Sequence, residues 1–134
     1  MCVEYTNPTT GGPALATIAC FAHLLKPGTH TRAHRHVGST IYHVISGKGY
    51  SVIAGQRFHW EAKDTFVVPS WAWHEHFAEV EVCLFSYNDS PLLHPFGLYR
   101  EEAYSENDGH QPTTGLAQAG RTSRRTVRWF EDWN

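Results

Sequence analysis

The sequence predicts an all-β protein, a small and mostly antiparallel β-barrel or sandwich with an irregular tail. Short segments rich in β-branched and aromatic residues recur about every 8 to 12 residues, and Gly or Pro lies between them. At 134 residues the chain has room for one domain with a proper core. We therefore expect one domain over residues 1–104, followed by a flexible linker and tail over residues 105–134.

The first predicted strands follow an irregular entry segment. Residues 7–13 (Asn-Pro-Thr-Thr-Gly-Gly-Pro) are typical of turns, and we expect structure to begin after them. The apolar run over residues 15–25 is interpreted as strand, although its pattern alone also permits a helix. A turn at residues 26–28 precedes residues 40–46, whose β-branched and aromatic side chains favour a strand.

The second half of the predicted barrel consists of short strands joined by tight turns. These strands are predicted over residues 50–54, 57–60, 65–68, 74–78 and 80–87. In the last of them apolar side chains alternate with others, which indicates one buried face and a buried or half-buried thiol at Cys83. The signal fades beyond residue 88, although residues 121–134 contain aromatic side chains that a short docked helix or a partner subunit could cover.

The charge of the chain does not indicate a nucleic acid or a membrane as a partner. The net charge of −2 comes from 11 basic and 13 acidic side chains and gives no reason to expect a nucleic acid or a membrane surface. Four arginines near the C-terminus could bind phosphate, although a solvated tail explains them better: Arg121, Arg124, Arg125 and Arg128.

Cysteine usage and the N-terminal residues predict a cytoplasmic protein. Cys2, Cys20 and Cys83 form no CxxC pair and no disulfide framework. The first residues lack the charged and apolar regions of a signal peptide, and no apolar run approaches the roughly 18 residues that span a bilayer.

Two histidine pairs dominate the candidate functional residues. Residues 34–36 (His-Arg-His) and 74–76 (His-Glu-His) each place two imidazoles on one face of a strand, since successive side chains point to opposite faces. Imidazole is the commonest protein ligand for metals. Three such nitrogens leave coordination positions open for a substrate and dioxygen. The pairs therefore predict an open, all-histidine metal site.

The spacing around both pairs resembles the two sequence motifs of the cupin superfamily. The first motif is matched, except at its fourth ligand, by Gly28, His34, His36, Thr40 and Gly47. The second motif follows fifteen residues later, in register, with Lys63, Pro69, Trp71 and His74. Most cupins supply a glutamate where this chain has Thr40.

A narrower resemblance covers residues 7–102. The stretches AHRHVGSTIYHVISGKGYSVIAG and DTFVVPSWAWHEHFA, with the later DSPL and GLYRE, resemble the gentisate 1,2-dioxygenase group of ring-cleaving cupins. Those enzymes are usually double cupins, and this chain resembles a single one, nearer to the C-terminal cupin. The resemblance implies a cupin-type double-stranded β-helix, or jelly roll.

The resemblance also implies roles for individual residues. It makes His34, His36 and His74 the ligands of Fe(II), with Mn, Ni and Zn as further candidates because imidazole sites accept several metals. His76, on the same strand face, and Tyr42 are the candidate catalytic residues. Tyr42 stands where the family carries an arginine assigned to the substrate carboxylate.

A second departure from the family concerns the rest of the pocket. Ser86 replaces an aspartate of the family near the end of its strand. Four other side chains could take over the missing contacts if they face the interior: His43, Arg57, His59 and Tyr87. Other histidines, namely His23, His30, His94 and His110, are expected at the surface or in loops.

The function that the resemblance implies is oxygen-dependent ring cleavage of a hydroxylated aromatic acid. Three neutral imidazoles leave Fe(II) with its full positive charge, so an anionic chelating substrate of the salicylate type suits the site. The expected partners are this acid, dioxygen and a second copy of the chain in a homodimer. One alternative is a metal-binding cupin without turnover, acting as a partner of a longer dioxygenase or as a sensor. Another is a non-oxidative cupin enzyme such as an isomerase.

Overall fold

Ten strands carry the fold in the computed structural model, which describes residues 1–114. The strands are β1 Cys2–Tyr5, β2 Ala19–Leu25, β3 His34–His36, β4 Thr40–Ser46, β5 Lys48–Ile53, β6 Gln56–Glu61, β7 Thr65–Val68, β8 His74–Ala78, β9 Val82–Asn88 and β10 Glu101–Ala103. A short helix α1 spans Ser90–Leu93, and 3₁₀ turns span His94–Phe96 and Asn107–Gly109.

The strands form two five-stranded sheets that enclose the core. The first sheet has the order β1-β2-β9-β4-β7, and the second has the order β10-β3-β8-β5-β6. All pairings between these strands are antiparallel. The structure confirms the predicted all-β antiparallel barrel. No helix among residues 1–114 is long and apolar enough to cross a membrane.

Strand β1 lies before the predicted start of ordered structure. It pairs with β2 from Cys2, opposite His23, to Tyr5, opposite Cys20. All four of its residues are exposed, so backbone hydrogen bonds rather than apolar alternation hold it at the sheet edge. The prediction that structure begins only after residue 13 is therefore wrong. The apolar run after that turn is a strand, as predicted, although β2 starts only at Ala19.

Alternating side chains from both sheets fill the core. On β9 the buried residues Val82, Leu84 and Ser86 alternate with half-buried or exposed neighbours, as the sequence predicts. Cys83 is half-buried, which confirms its predicted position. The buried apolar cluster consists of Leu25, Tyr42, Val44, Ile53, Trp60, Val68, Ala78, Val82 and Leu84.

Two glycines allow the close strand contacts on which this arrangement depends. Gly47, between β4 and β5, has φ 91°, and a Cβ there would collide with the carbonyl oxygen of Glu81. A Cβ on Gly49 would collide with the carbonyl oxygen of Phe77. Gly49 therefore lets β5 lie directly against β8, the strand that carries the second histidine pair.

The chain after β10 packs on the outer face of the second sheet. Ala33 donates a backbone hydrogen bond to the Gly109 carbonyl at 2.7 Å, and Gln111 Nε2 donates to the Val52 carbonyl at 3.0 Å. The predicted linker thus begins with a packed stretch over residues 105–114. The remainder of the predicted tail, with Arg121, Arg124, Arg125 and Arg128, lies outside the described residues, and a domain boundary at residue 104 stays a prediction.

Candidate metal centre

Neighbouring strands β3 and β8 bring three histidines together. His34 is the Cα partner of His74, and the two ring centroids lie 4.3 Å apart. The ring of His36 lies 5.1 Å from that of His74 and 5.9 Å from that of His34. One nitrogen from each ring lies within 4.8 Å of the other two. The three residues predicted as metal ligands therefore form one cluster.

Hydrogen bonds at Nδ1 leave the Nε2 atoms of His34 and His74 free to bind a cation. The Nδ1 atom of His74 donates to the Ala72 carbonyl at 3.0 Å, and that of His34 donates to the Arg32 carbonyl at 3.3 Å. A carbonyl oxygen only accepts, so the neutral ring carries its proton on Nδ1 and a lone pair on Nε2. His74 Nε2 is buried and has no hydrogen-bond partner among residues 1–114. This donor set fits a divalent transition metal.

Burial keeps the imidazoles of His74 and His36 neutral, which is the form that binds metal. Burial, together with the neighbouring His34, lowers the pKa of His74 to about 3. Burial and His34 also lower the pKa of His36. A neutral imidazole needs to release no proton before it coordinates a cation.

Arg35 lies between two of these histidines in the chain and points to the opposite side of the strand. Its guanidinium carbon lies 4.3 Å from the ring centroid of Trp71 and 4.5 Å from that of Trp73. Trp71 has φ 64°, a left-handed conformation that is rare for a bulky residue. Through these cation–π contacts with Arg35, the two tryptophans hold β3, the strand that carries His34 and His36, from its outer side.

The two predicted catalytic residues line the inner wall beside the histidine cluster. Tyr42 is 6% exposed, and its ring centroid lies 4.8 Å from that of His76. Burial raises the pKa of Tyr42, so its phenol stays protonated at neutral pH. Burial, reinforced by His74, holds the pKa of His76 well below its usual value, and its ring is neutral.

A chain of buried hydrogen bonds sets the tautomer of His76. Trp60 Nε1 donates to Ser51 Oγ at 2.8 Å, and Ser51 Oγ lies 2.7 Å from His76 Nδ1. Indole N–H can only donate, so the Ser51 hydroxyl accepts from it, and among residues 1–114 His76 Nδ1 is the one acceptor within hydrogen-bond distance of that hydroxyl. We therefore assign the hydroxyl proton to Nδ1. The remaining ring proton then sits on His76 Nε2, which is buried and has no partner within the described residues.

The four side chains suggested as substitutes for the family's substrate contacts face away from this wall. His43 and Tyr87 alternate with buried neighbours on β4 and β9, and both point outward. Arg57 packs over the ring of Tyr50 on the outer face, and His59 is exposed there. None of the four therefore reaches the histidine cluster from inside.

His23, by contrast, faces the interior, and its predicted surface position is wrong. Its Nε2 atom lies 2.9 Å from Ser86 Oγ, and its ring centroid lies 5.9 Å from that of Tyr42. The signal was present in the sequence. His23 is two residues from both Phe21 and Leu25 on β2, so the three side chains share the inward face of that strand. Within residues 1–114, no lysine or arginine side chain lies on the inner strand positions.

Comparison with known proteins places this barrel in a family. The model of the cupin domain matches residues 22–85. The chain is 48% identical to a 5-aminosalicylate 1,2-dioxygenase from Comamonas over 114 residues, which are 84% of this chain and 30% of that protein. It is 41% identical to gentisate 1,2-dioxygenase 1 from Aquipseudomonas alcaligenes over 99 residues, 74% of this chain and 28% of that protein.

Solved structures agree with these relatives. The barrel superposes on salicylate 1,2-dioxygenase from Pseudoaminobacter salicylatoxidans, in a crystal with gentisate, with a TM-score of 0.74 and 38% identity. The match covers 75% of this chain and 28% of that chain. The chain thus spans about 30% of the length of the curated relatives it matches first. The chain belongs to the cupin superfamily, as a homologue of one cupin domain of the gentisate and salicylate 1,2-dioxygenases.

Proposed function

We propose that His34, His36 and His74 bind one Fe(II), and that this site cleaves the ring of a salicylate-type aromatic acid with dioxygen. The observation that carries the proposal is the set of three converging imidazoles, with a buried nitrogen on His74 that has no partner in the described part of the chain. The reaction class is supported by relatives that act on 5-aminosalicylate, gentisate and salicylate.

The charge of the donor set selects an anionic substrate. Fe(II), when bound, would supply redox chemistry and a doubly positive centre that three neutral ligands do not offset. Among residues 1–114 no carboxylate belongs to the cluster: Glu75 points to the outer face, and Thr40 stands at the position of the usual glutamate. An acid with adjacent hydroxyl and carboxylate groups neutralises such a centre.

The inner wall then orients the acid through neutral hydrogen-bond donors. We assign His76 Nε2–H to a substrate oxygen, since it is the proton that the Ser51 contact leaves on the ring. The Tyr42 phenol, protonated because burial raises its pKa, is the second donor. Both lie on a wall where the described strands place no lysine or arginine side chain, so the metal charge and these two donors together would hold the carboxylate.

Dioxygen consumption by the iron-loaded chain tests this proposal. The protein is reconstituted anaerobically with Fe(II) and offered gentisate, salicylate, 5-aminosalicylate and 1-hydroxy-2-naphthoate in turn. We expect substrate-dependent uptake that is lost, together with the iron, in His36→Ala. His43→Ala is the matched control, because His43 lies on the outer face, where its Nδ1 is 2.9 Å from Thr65 Oγ1. Metal analysis of the protein as purified distinguishes iron from Mn, Ni and Zn.

A second candidate function follows from the family's substrate contacts that are missing here, at Tyr42 and Ser86. A cupin with no lysine or arginine on the inner strand positions of residues 1–114 could bind metal as a partner of a longer dioxygenase, or as a sensor. One tightly held metal per chain, with no dioxygen uptake on any of the four acids, would favour this function over catalysis by the chain alone.

We also propose that the protein is a homodimer and is cytoplasmic. Exposed apolar side chains on the outer face of the first sheet, among them Val3, Tyr5 and Tyr87, support a homodimer. The three cysteines are free, as suits a cytoplasmic protein. A monomeric mass by light scattering would contradict the dimer.

A further inference from the structure

We propose that His30, Glu75 and His110 form a second site for a divalent metal of the zinc class, on the outer face of the second sheet. This site is independent of the proposed dioxygenase function. It uses a carboxylate that lies between His74 and His76 in the chain but points to the opposite side of β8.

The three side chains already converge on one oxygen atom. Glu75 Oε2 lies 3.0 Å from His30 Nε2 and 2.6 Å from His110 Nδ1. The two imidazole rings are stacked, with centroids 3.9 Å apart. One ligand atom from each residue lies within 4.8 Å of the other two. Only small shifts separate this arrangement from ligand spacing around a common cation.

The carboxylate at the base of the site is buried and oriented. Glu75 is 1% exposed, and its Oε1 atom accepts the backbone N–H of Gln111 at 2.9 Å. That bond fixes the group so that Oε2 faces the imidazoles. Within residues 1–114, Glu75 forms no ion pair with lysine or arginine. A buried carboxylate without a permanent cation is costly, and a divalent metal would offset its charge.

The donor set indicates which metal fits. Two imidazole nitrogens and one carboxylate oxygen form a known three-residue zinc set, in which water completes a tetrahedron. His30 and His110 retain 33% and 28% side-chain exposure, so the site opens to solvent on the side opposite the carboxylate. A metal can enter from there and take the place of the N–H protons that lie between the two imidazoles and Glu75, and each neutral ring would then carry its proton on its other nitrogen.

Such a metal would join three distant parts of the chain. His30 lies in the loop before β3, Glu75 in β8, and His110 in the stretch that follows the last 3₁₀ turn. The Gln111 side chain already holds that stretch to Val52. The ion would lock the segment after β10 onto the back of the strand that carries His74.

Metal stoichiometry tests the second site without any assay of activity. Metal-stripped protein is dialysed against micromolar Zn²⁺, and bound zinc is measured. We expect two equivalents for the wild type, one for His110→Ala, one for His36→Ala and none for the double variant. His59→Ala is the matched control, because this exposed histidine lies on the same sheet face, and it should keep two equivalents.

A second probe separates a metal site from a purely structural cluster. Co²⁺ bound to His36→Ala should show the visible absorption of a tetrahedral site, and Glu75→Gln in that background should remove it. Glu75→Gln keeps an accepting oxygen and the side-chain size, so hydrogen bonding alone would leave metal content unchanged. If His36→Ala does not fold by circular dichroism, the wild type, His110→Ala and Glu75→Gln are compared directly. Equal zinc content in these three proteins would overturn the proposal.

Discussion

Arg35 donates two hydrogen bonds to Oε2 of Glu102, at 2.9 Å from Nε and 2.6 Å from Nη2. The two residues are Cα partners in the pairing of β3 with β10, and the guanidinium is also held between Trp71 and Trp73. Because both neighbours of Arg35 in the chain are cluster histidines, these contacts fix the backbone from which two imidazoles project.

Replacing this arginine should weaken metal binding without removing a ligand. For Arg35→Ala we expect the Kd for a divalent metal to rise about 10-fold, at the lower end of the effect of residues that support ligands. Competition with a chromogenic chelator measures the affinity. Arg100→Ala is the control, since Arg100 is exposed and makes no side-chain hydrogen bond among residues 1–114. An unchanged Kd for Arg35→Ala would show that metal binding by β3 does not depend on the contacts that Arg35 makes with Glu102 and the two tryptophans.

Ser51→Ala should separate orientation of the substrate from binding of the metal. The change leaves Trp60 Nε1 and His76 Nδ1 without a partner, which costs about 1–3 kcal/mol of stability per unsatisfied buried group. Metal content should stay at the wild-type level, whereas KM for the aromatic acid should rise. Nitrogen-15 NMR of the histidine rings should show loss of the single Nε2–H tautomer at His76. Retention of that tautomer would contradict the hydrogen-bond chain, and Ser46→Ala, at an exposed position, is the control.

Acid should destabilise the metal-free protein. Burial lowers the pKa values of His23, His36, His74 and His76 below the ordinary 6.5. The unfolded chain therefore takes up protons near pH 6.5 while the folded chain does not, so stability is full above this pH and falls below it. Between the pKa values of the unfolded and folded chain, the buried His74 contributes about 1.4 kcal/mol per pH unit, and its loss continues toward pH 3.

Urea unfolding in the presence of a chelator, between pH 7.5 and 5, measures this dependence. His76→Gln should reduce the slope of stability against pH, and His59→Ala, at an exposed position, should not. A free energy of unfolding that is constant over this range would mean that these histidines ionise alike in the folded and unfolded chain.

Lys63→Gly should stabilise the barrel. Lys63 is exposed in the turn between β6 and β7, and its φ of 75° lies in the left-handed region. Glycine adopts this conformation without the steric cost of a Cβ, so we expect a gain of up to about 1 kcal/mol in the free energy of unfolding. Thermal unfolding checks the gain. Lys48→Gly, in the regular strand β5, should lower stability instead, because glycine loses more entropy there.

Much of the fold and the cluster on β3 and β8 could be predicted because their signals are local. Alternation along a strand already puts His34 and His36 on one side, and motif spacing adds His74. Edge strand β1 gave no such signal, since its four residues are all exposed and it is held mainly by backbone pairing with β2.

Contacts between distant segments could not be predicted from spacing. His30 and His110 meet only because the chain after β10 returns across the outer sheet face, which no local pattern records. The direction of Arg57 depended on the register of β6 against β5, and a shift of one residue would have pointed it inward. Alternation on β2 did contain the position of His23, and it was overlooked there.

The absence of a cation from the inner strand positions of residues 1–114 dictates an order of events. Without metal, the interior offers an aromatic acid only neutral donors, too little to repay the dehydration of a carboxylate. For the proposed dioxygenase, loading with metal would then precede binding of the acid. The metal-free barrel would leave salicylate in solution, and binding of the acid would indicate that the chain already holds its metal.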